Sequence, residues 1–482
     1  MILLDIANKK FLQQKIYVFD LIFFILGLKY EIYNGVSEDN DIIISYGEKP
    51  LKEMKDYKGI FIKDSGELFN GNYLKKMPKI NINKYSLEEP IKYIKDVISL
   101  FSKDEDYIYR NNYNTLINVD IISDIFFLVT RYEEVMVKSK DMHDRFNPMD
   151  SVAYKENFID RPVVNEQIEL LWRELKLINP SLKRKNMWGD KEFGFCLSHD
   201  IDSIFKYKDK IIKVLGVKIL KERDIKGAVE RAKNYFKAIK NPLDDPFWTF
   251  PYLLKLENKY KFTASYYFMT GGETKKDNIY KITNGKLATI LKEIKANKSE
   301  IGIHGSYNSY NNSELLKTEI RSLNDISKVS GIRQHYLRFR APYTWRIQEV
   351  NKLKYDTTLG YAQVAGFRGS ICTPFKPYDL INNKVMNIYE IPLVLMDGTL
   401  LEAEYMGLSA EDGLLYAKKL IDRIKAVKGV FTLLWHNSSF DNTSKWGSWK
   451  FVYEDILEYV YEEQALGLSG EALIKHVEYR TD

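Results

Sequence analysis

Cysteine is almost missing from this chain: Cys196 and Cys372 are the only two in 482 residues. They lie far apart in sequence, so neither a disulfide framework nor a cysteine zinc site can be built from them, which suits a reducing compartment. Long apolar runs are also missing. The most apolar stretch, Ile16 to Leu28, is about 13 residues long and contains Asp20, whereas a membrane span needs roughly 20 apolar residues. No small-residue cleavage site of the secretory type follows it. The stretch is therefore read as a buried or interfacial amphipathic helix, no transmembrane segment is expected, and the expected location is cytoplasmic. A large charge excess is absent as well. Lys and Arg outnumber Asp and Glu by 72 to 66, a net +6, and the basic residues are scattered, which speaks against nucleic acid as a partner.

Core-forming material is plentiful. Hydrophobic residues make up 45% and aromatics 14%, enough for sizeable cores, and the length calls for two or three domains. Residues 1–95 mix an apolar helix with strand-like runs, DIIISYG (41–47) and KGIFIKD (58–64), and read as a small α+β region. Residues 96–185 read as mainly helical, on the segments YIKDVISLF, NVDIISDIFFLVTRYEEVM and VVNEQIELLWREL. NPSLKRKNMWGD (179–190) is polar, carries Pro180 and Gly189, and reads as a linker.

From 190 to about 465 the rhythm changes. The strand candidates FGFCLSHD, ASYYFM, EIGIHG, HYLRF, EIPLVLM and FTLLWHN alternate with helical stretches. In SAEDGLLYAKKLIDRIKAVKG, Ser409 and Asp412 form a capping-box pattern and Gly429 ends the helix. SELLKTEIRSLNDISKVSG likewise reads as a helix opened by a Ser cap and closed at Gly331. Repeated strand–helix units predict parallel strands with helices outside them, whether as an open sheet or a closed barrel.

In such folds active sites assemble at the carboxyl ends of strands. Of the six histidines, His199, His304 and His436 end or directly follow apolar strand candidates. LSHDID carries Asp200 and Asp202, two apart and so on one face of a strand, where one carboxylate can ligate a metal while the other serves as base. His199 faces the opposite way and reads as structural. EIGIHGSYNSY supplies His304, with Asn308 four residues on; imidazole plus carboxylate suits zinc or a similar divalent ion. LRFRAPYTW places Arg340 before Ala341-Pro342-Tyr343, where an arginine could lower and orient an aspartate. FTLLWHNSSF offers His436 as proton donor.

The order of these motifs resembles that of the polysaccharide deacetylase superfamily, the carbohydrate esterase group that includes chitooligosaccharide and peptidoglycan deacetylases. LSHDID resembles its Asp-x-Asp motif, FRAPY its Arg-x-Pro-Tyr motif, and LLWHN its late Leu-x-x-His motif. VDIISDIFFLVTRYEEVM and DRFNPMDSVAYKENFIDRPVVN also resemble the helical segment upstream of one bacterial subgroup of these domains. The resemblance implies a distorted (β/α) barrel of about seven parallel strands, in an α/β chain whose N-terminal region is smaller, α+β and helical. It implies a metal-dependent hydrolase removing an N-acetyl group from an amino sugar of a surface polysaccharide or its biosynthetic intermediate. Asp200 would be the base, restrained by Arg340, and His436 the acid. A divalent metal, Zn2+ by the donor set, would sit on Asp202, His304 and the position of Asn308. The family's His-x-x-x-His motif has Asn where its second histidine should be. That departure leaves open weaker metal binding, a replacement ligand such as His199 or His335, or a catalytically weak domain that binds a glycan or scaffolds polysaccharide assembly. Trp345, Trp435, Trp446 and Trp449 are candidates for stacking on sugar rings, with burial the commoner fate.

Overall fold

Isoleucine-rich runs bounded by polar turns make the first sheet. A computed structural model describes residues 1–50, 58–101, 107–111, 114–207, 225–277, 280–441 and 446–481. Its first strands are β1 (Ile2–Ile6), β2 (Glu31–Ile32), β3 (Ile42–Gly47), β4 (Gly59–Lys63), β5 (Asn83–Ile91), β6 (Ile94–Ser99), β7 (Ile108–Arg110) and β8 (Asn114–Ile117). Six of them form one sheet in the order β2-β1-β3-β4-β8-β7, parallel except for the β7–β8 pair. β3 is buried along its whole length and β4 all but its last residue, which is why they read as continuous apolar runs rather than alternating ones.

The apolar N-terminal stretch is the helix Leu12–Leu26, closed by Gly27 in the left-handed region at φ 61°. Val18, Phe19, Ile22 and Leu26 are fully buried. At roughly 1.5 Å per residue its 15 residues fall short of a bilayer core. No helix among the described residues is long and apolar enough to cross a membrane.

YIKDVISLF, expected as helix, is instead strand β6, paired antiparallel with β5. Ile94, Val97 and Ile98 are buried β-branched residues, stiff at χ1 and better accommodated on a pleated surface. Lys92, at φ 54°, turns the chain between the two strands. The helical segments further on do form, as Ile121–Val129, Tyr132–Met136 and Val163–Ile178.

The second sheet comprises β9 (Phe193–Ile201), β10 (Ser265–Phe268), β11 (Glu300–Gly305), β12 (Gly331–Gln334), β13 (Tyr355–Asp356), β16 (Tyr389–Glu390), β17 (Leu395–Met396), β18 (Val430–Leu434) and β19 (Ala465–Leu468); β14 (Tyr378–Asp379) and β15 (Lys384–Val385) form a separate hairpin. Eight strands, against about seven expected, run in the order β16-β13-β12-β11-β10-β9-β18-β17, all parallel, and β19 adds to β9. The end strands β16 and β17 belong to one segment. Between them Ile391 N–H bonds Asp356 O at 2.8 Å, and Val394 N–H bonds Thr432 O at 3.2 Å. That segment carries the chain across the gap and gives the sheet its barrel-like closure.

Helices flank the strands. Ser313–Asn324 is capped by Asn312, whose side chain accepts from Leu315 N–H, rather than by the serine. It ends at Asn324, and Gly331 opens β12 instead of closing the helix. Ala410–Ala426 carries half of the expected capping box: Ser409 Oγ accepts from Asp412 N–H at 3.1 Å, but the Asp412 carboxylate takes the serine hydroxyl at 2.7 Å, and the helix ends at Ala426, with Lys428 at φ 55° rather than Gly429 turning the chain. HYLRF is not a strand: β12 stops at Gln334, and Tyr336 and Leu337 at φ 62° and 52° redirect the chain.

The two regions are joined through buried polar contacts. Arg368 holds both oxygens of Glu134 at 2.8 and 2.7 Å. Asn165 donates to Thr373 at 2.7 Å, and Tyr17 Oη to Lys376 O at 2.9 Å. The main apolar core accordingly runs through residues of both.

Candidate functional site

Parallel strands bring their carboxyl ends to one rim, and there β9, β11, β12 and β18 deliver Asp200, Asp202, His304, His335 and His436 to a cavity of about 200 Å³. β9 ends in Ile201. Asp200 and Asp202 therefore straddle its last residue and face the same side. Asp200 is buried; Asp202, just past the strand, keeps about a quarter of its side chain exposed, 26%.

The ring orientation of His304 follows from chemistry. Its Nδ1 lies 2.9 Å from Arg333 O, and a carbonyl can only accept, so Nδ1 carries the proton and Nε2 a lone pair. Nε2 is buried, makes no hydrogen bond, and stands 3.1 Å from Asp202 Oδ1, itself without a hydrogen bond. Two lone pairs at that distance repel unless a proton or a cation lies between them. His335 Nε2 approaches the same oxygen at 3.6 Å, while its Nδ1 faces Asp277 Oδ1 at 3.4 Å. Asp202, His304 and His335 thus offer three ligand atoms, all within 4.8 Å of one another, that could hold a metal ion. Two donors each about 2.1 Å from a tetrahedral ion sit about 3.4 Å apart, and the 3.1 and 3.6 Å spacings straddle that figure.

Two further groups border the cluster. Arg333, fully buried, donates to Asp200 Oδ1 at 3.3 Å, Ser198 Oγ at 2.8 Å and Thr357 O at 3.0 Å. His436 Nδ1 lies 2.8 Å from Asp397 Oδ1, and its backbone N–H bonds the other oxygen at 2.8 Å. Its Nε2 points back to Asp202 Oδ2 at 3.8 Å. Burial alone would lower the His436 pKa, but the Asp397 carboxylate overrides it and lifts the imidazole to about 10. His335 rises to about 9 by the same contest, against burial and through Asp202 and Asp277. Burial would raise Asp202, yet the facing histidines hold it well below the usual carboxylate range.

Asn308 and Arg340 lie outside this arrangement. Asn308 is exposed, accepts from Arg338 Nη1 at 3.1 Å, and precedes the short 3-10 turn Ser309–Asn311. The chain after His304 does not run helically there, so four residues do not make one turn, and His335 stands in the cluster instead. Arg340 is exposed and lies over the Tyr343 ring at 4.8 Å; the guanidinium on Asp200 is that of Arg333. His199 is a core residue, its Nδ1 at 2.7 Å from Trp435 O and its Nε2 3.4 Å from Glu257. Trp345, Trp435 and Trp449 are buried packing residues, not sugar platforms.

Three residues of the site escaped the sequence reading. Asp397 follows the apolar run EIPLVLM, and a polar residue at a strand end was the signal that would have found it. Arg333 sits inside GIRQ, whose mixed polarity hides a strand. Asp277 lies in a polar loop with no signal at all.

Residues 3–180 match a family model described as a family of unknown function, DUF7033. No curated protein matches the chain. Among solved structures the chain is similar to a Mycobacterium smegmatis protein assigned as a polysaccharide deacetylase, at 13% identity and a TM-score of 0.40, over 61% of this chain and 94% of that one. A chitin deacetylase from Colletotrichum lindemuthianum is similar at 14% identity and 0.28, over 46% and 80%. A carbohydrate deacetylase, Agd3, is similar at 8% identity and 0.37, over 99% and 87%.

Proposed function

We propose that the protein is a metal-dependent hydrolase that removes the acetyl group from an N-acetylated amino sugar of a surface polysaccharide or its precursor. The observation that carries the reading is the convergence on one cavity of three ligand atoms, a carboxylate held by a buried arginine, and an imidazole held by a buried carboxylate. Asp202, His304 and His335 would hold the ion, and two imidazoles with one carboxylate favour Zn2+. When bound, a divalent ion supplies a Lewis acid for the acetyl carbonyl and lowers the pKa of water.

The chain's own groups do the remaining work. Asp200, acceptor-only when ionised and fixed by Arg333, takes a proton from the attacking water. Arg333 is a positioning residue: its planar fork is already tied to Ser198 and Thr357, so it cannot follow Asp200 if the carboxylate moves. Asp397 raises the His436 pKa and so favours the protonated ring, and Nε2 is the one ring nitrogen free to hand a proton to the departing amine. Leu337, Ala362, Met396 and Leu434 line the same cavity and offer an apolar bed for the acetyl methyl.

The test is acetate release from N-acetylglucosamine oligomers by the full chain loaded with zinc, cobalt or nickel. Release that depends on added metal and is lost in Asp202→Ala is expected. Metal uptake without any release from a panel of N-acetylated sugars would overturn the hydrolase reading.

A further inference from the structure

The cavity is not built from the barrel alone. Arg145, from the region before residue 180, lines it beside Asp202 and His436. Its side chain is only 6% exposed, and its position is fixed from two sides. Nε donates to Asp141 Oδ2 at 2.7 Å and Nη1 to Tyr336 O at 2.9 Å. Nη2 donates to no protein group among the described residues. A guanidinium fixed through Nε and Nη1 with Nη2 unbonded presents a preorganised charged donor to an anion.

The loop that carries it is clamped to the barrel rim. Arg338 lies between the Tyr307 and Tyr310 rings, 3.9 and 4.0 Å from their centroids, and donates to His143 O at 2.7 Å. Such a clamp costs rotamer freedom, and it places Arg145 without touching the cluster itself. Lys276 lines the cavity from a barrel loop. It is exposed, its ammonium 5.8 Å from the Tyr336 ring centroid, and it forms no ion pair among the described residues. Burial first, then the charges of Arg145, Lys276 and Arg338, push the His143 pKa down even though Asp141 opposes them, so the three cations lie near one another at this rim.

Taking this cavity as the acetamide site of the proposed hydrolase, we infer that its substrate is an anionic N-acetylated sugar, whose carboxylate or phosphate is held by Arg145 and Lys276. A neutral chitin-like or peptidoglycan-like chain would offer the unbonded Nη2 of Arg145 no charged partner and would forgo the charge-assisted hydrogen bond that an anion makes there. The cavity is small, so the anion belongs to the reacting sugar or its immediate neighbour.

The test uses the zinc-loaded full chain and three probes measured by calorimetry: N-acetylglucosamine, N-acetylglucosaminuronic acid and N-acetylglucosamine 6-phosphate. At least one anionic probe is expected to bind roughly tenfold or more tighter than the neutral one, the scale of one charge-assisted hydrogen bond, and the preference should shrink with added salt. Which anionic probe wins separates a carboxylate from a phosphate. Arg145→Gln and Lys276→Gln should each reduce the preference several-fold; Lys276 is exposed, so that variant folds even if the first does not. Equal affinity for neutral and anionic probes, no binding of either anionic probe, or a preference that survives both substitutions overturns the inference. Binding is read without turnover. An anionic preference with no acetate release refutes the hydrolase and not the anion site, whereas release from the neutral probe with no anionic preference does the reverse.

Discussion

Exchanging the roles of two residues separates the motif from the geometry. In His335→Ala the cluster keeps Asp202 and His304 and loses one of its two imidazoles; in Asn308→His an imidazole is added four residues after His304. Motif spacing predicts that the second substitution tightens zinc binding. The position of Asn308 predicts that it does nothing. Asn308 is exposed and tied to Arg338 at 3.1 Å, and a ring at that position has no donor in the cavity. His335 Nε2 stands 3.6 Å from the Asp202 oxygen that His304 also faces, close to the spacing of about 3.4 Å set by two bonds of about 2.1 Å to a tetrahedral ion. Losing a second-sphere partner of a metal ligand costs about 10- to 100-fold in affinity, so losing the ligand itself should exceed that range. Competition with a coloured chelator measures both variants on one scale. His335→Ala is expected to weaken zinc by more than about 100-fold, with Asn308→His within about twofold of wild type. Tighter zinc in Asn308→His, or unchanged zinc in His335→Ala, would refute the three-ligand cluster.

Three more expectations follow from buried partners. Asp200→Asn and His436→Ala should each cut acetate release by about a hundredfold or more, with metal content unchanged by plasma emission; full activity in either removes it from the chemistry. Arg333→Met strips a fully buried guanidinium from Asp200, so in a double-mutant cycle with Asp200→Asn the denaturation energies should couple by about 2 kcal/mol or more, and additivity within about 0.5 kcal/mol would mean that the pair is not an interacting unit. Burial lifts the Asp356 carboxyl to about 6, and burial together with the Asp356 charge pushes the paired Glu390 well above the usual carboxylate range. A raised folded pKa means stability present below the unfolded value of about 4 and lost as pH climbs through about 6, up to about 3 kcal/mol. Asp356→Asn should flatten the fall in urea midpoint between pH 4.5 and 7.5, and an unchanged slope would refute the assignment.

The parts of the site that could be read from sequence share one property: a polar residue abruptly ending an apolar run. Asp200, Asp202, His304 and His436 all do so, because a parallel strand buried on both faces must be apolar until it reaches the rim. Asp397 obeys the same rule after EIPLVLM. Arg333 does not, since it lies within its strand and is kept there by Ser198, Asp200 and Thr357, partners at separations of 24 to 135 residues. His335 was open as a substitute ligand and could not be chosen, because its approach depends on β12 ending one residue earlier. Local propensity misjudged YIKDVISLF, whose strand character is set by pairing with β5. Arg145 belongs to no local pattern; its own bonds to Asp141 and Tyr336 O and the clamp at Arg338 bring it to the cavity.

Three histidines share this cavity, and the partner of each far ring nitrogen divides their work. His304 gives Nδ1–H to a neutral backbone carbonyl, which fixes the tautomer without adding negative charge and leaves an Nε2 lone pair aimed at Asp202 Oδ1. His335 reaches the same oxygen with Asp277 behind it, an imidazole–carboxylate pair of the kind that orients a metal ligand and raises its basicity. His436 faces the other oxygen, Oδ2, from 3.8 Å, and Asp397 behind it is itself held by Ser439 and by the His436 backbone N–H. That carboxylate cannot swing away when the imidazole loses its proton, so it favours the return of the cation. A ring outside the three-ligand group and restored to the protonated form by a fixed anion suits proton transfer better than coordination. The same three side chains with exchanged partners would not, which is why, in the proposed hydrolase, Asp277, Asp397 and Arg333 would set the chemistry as much as the histidines themselves.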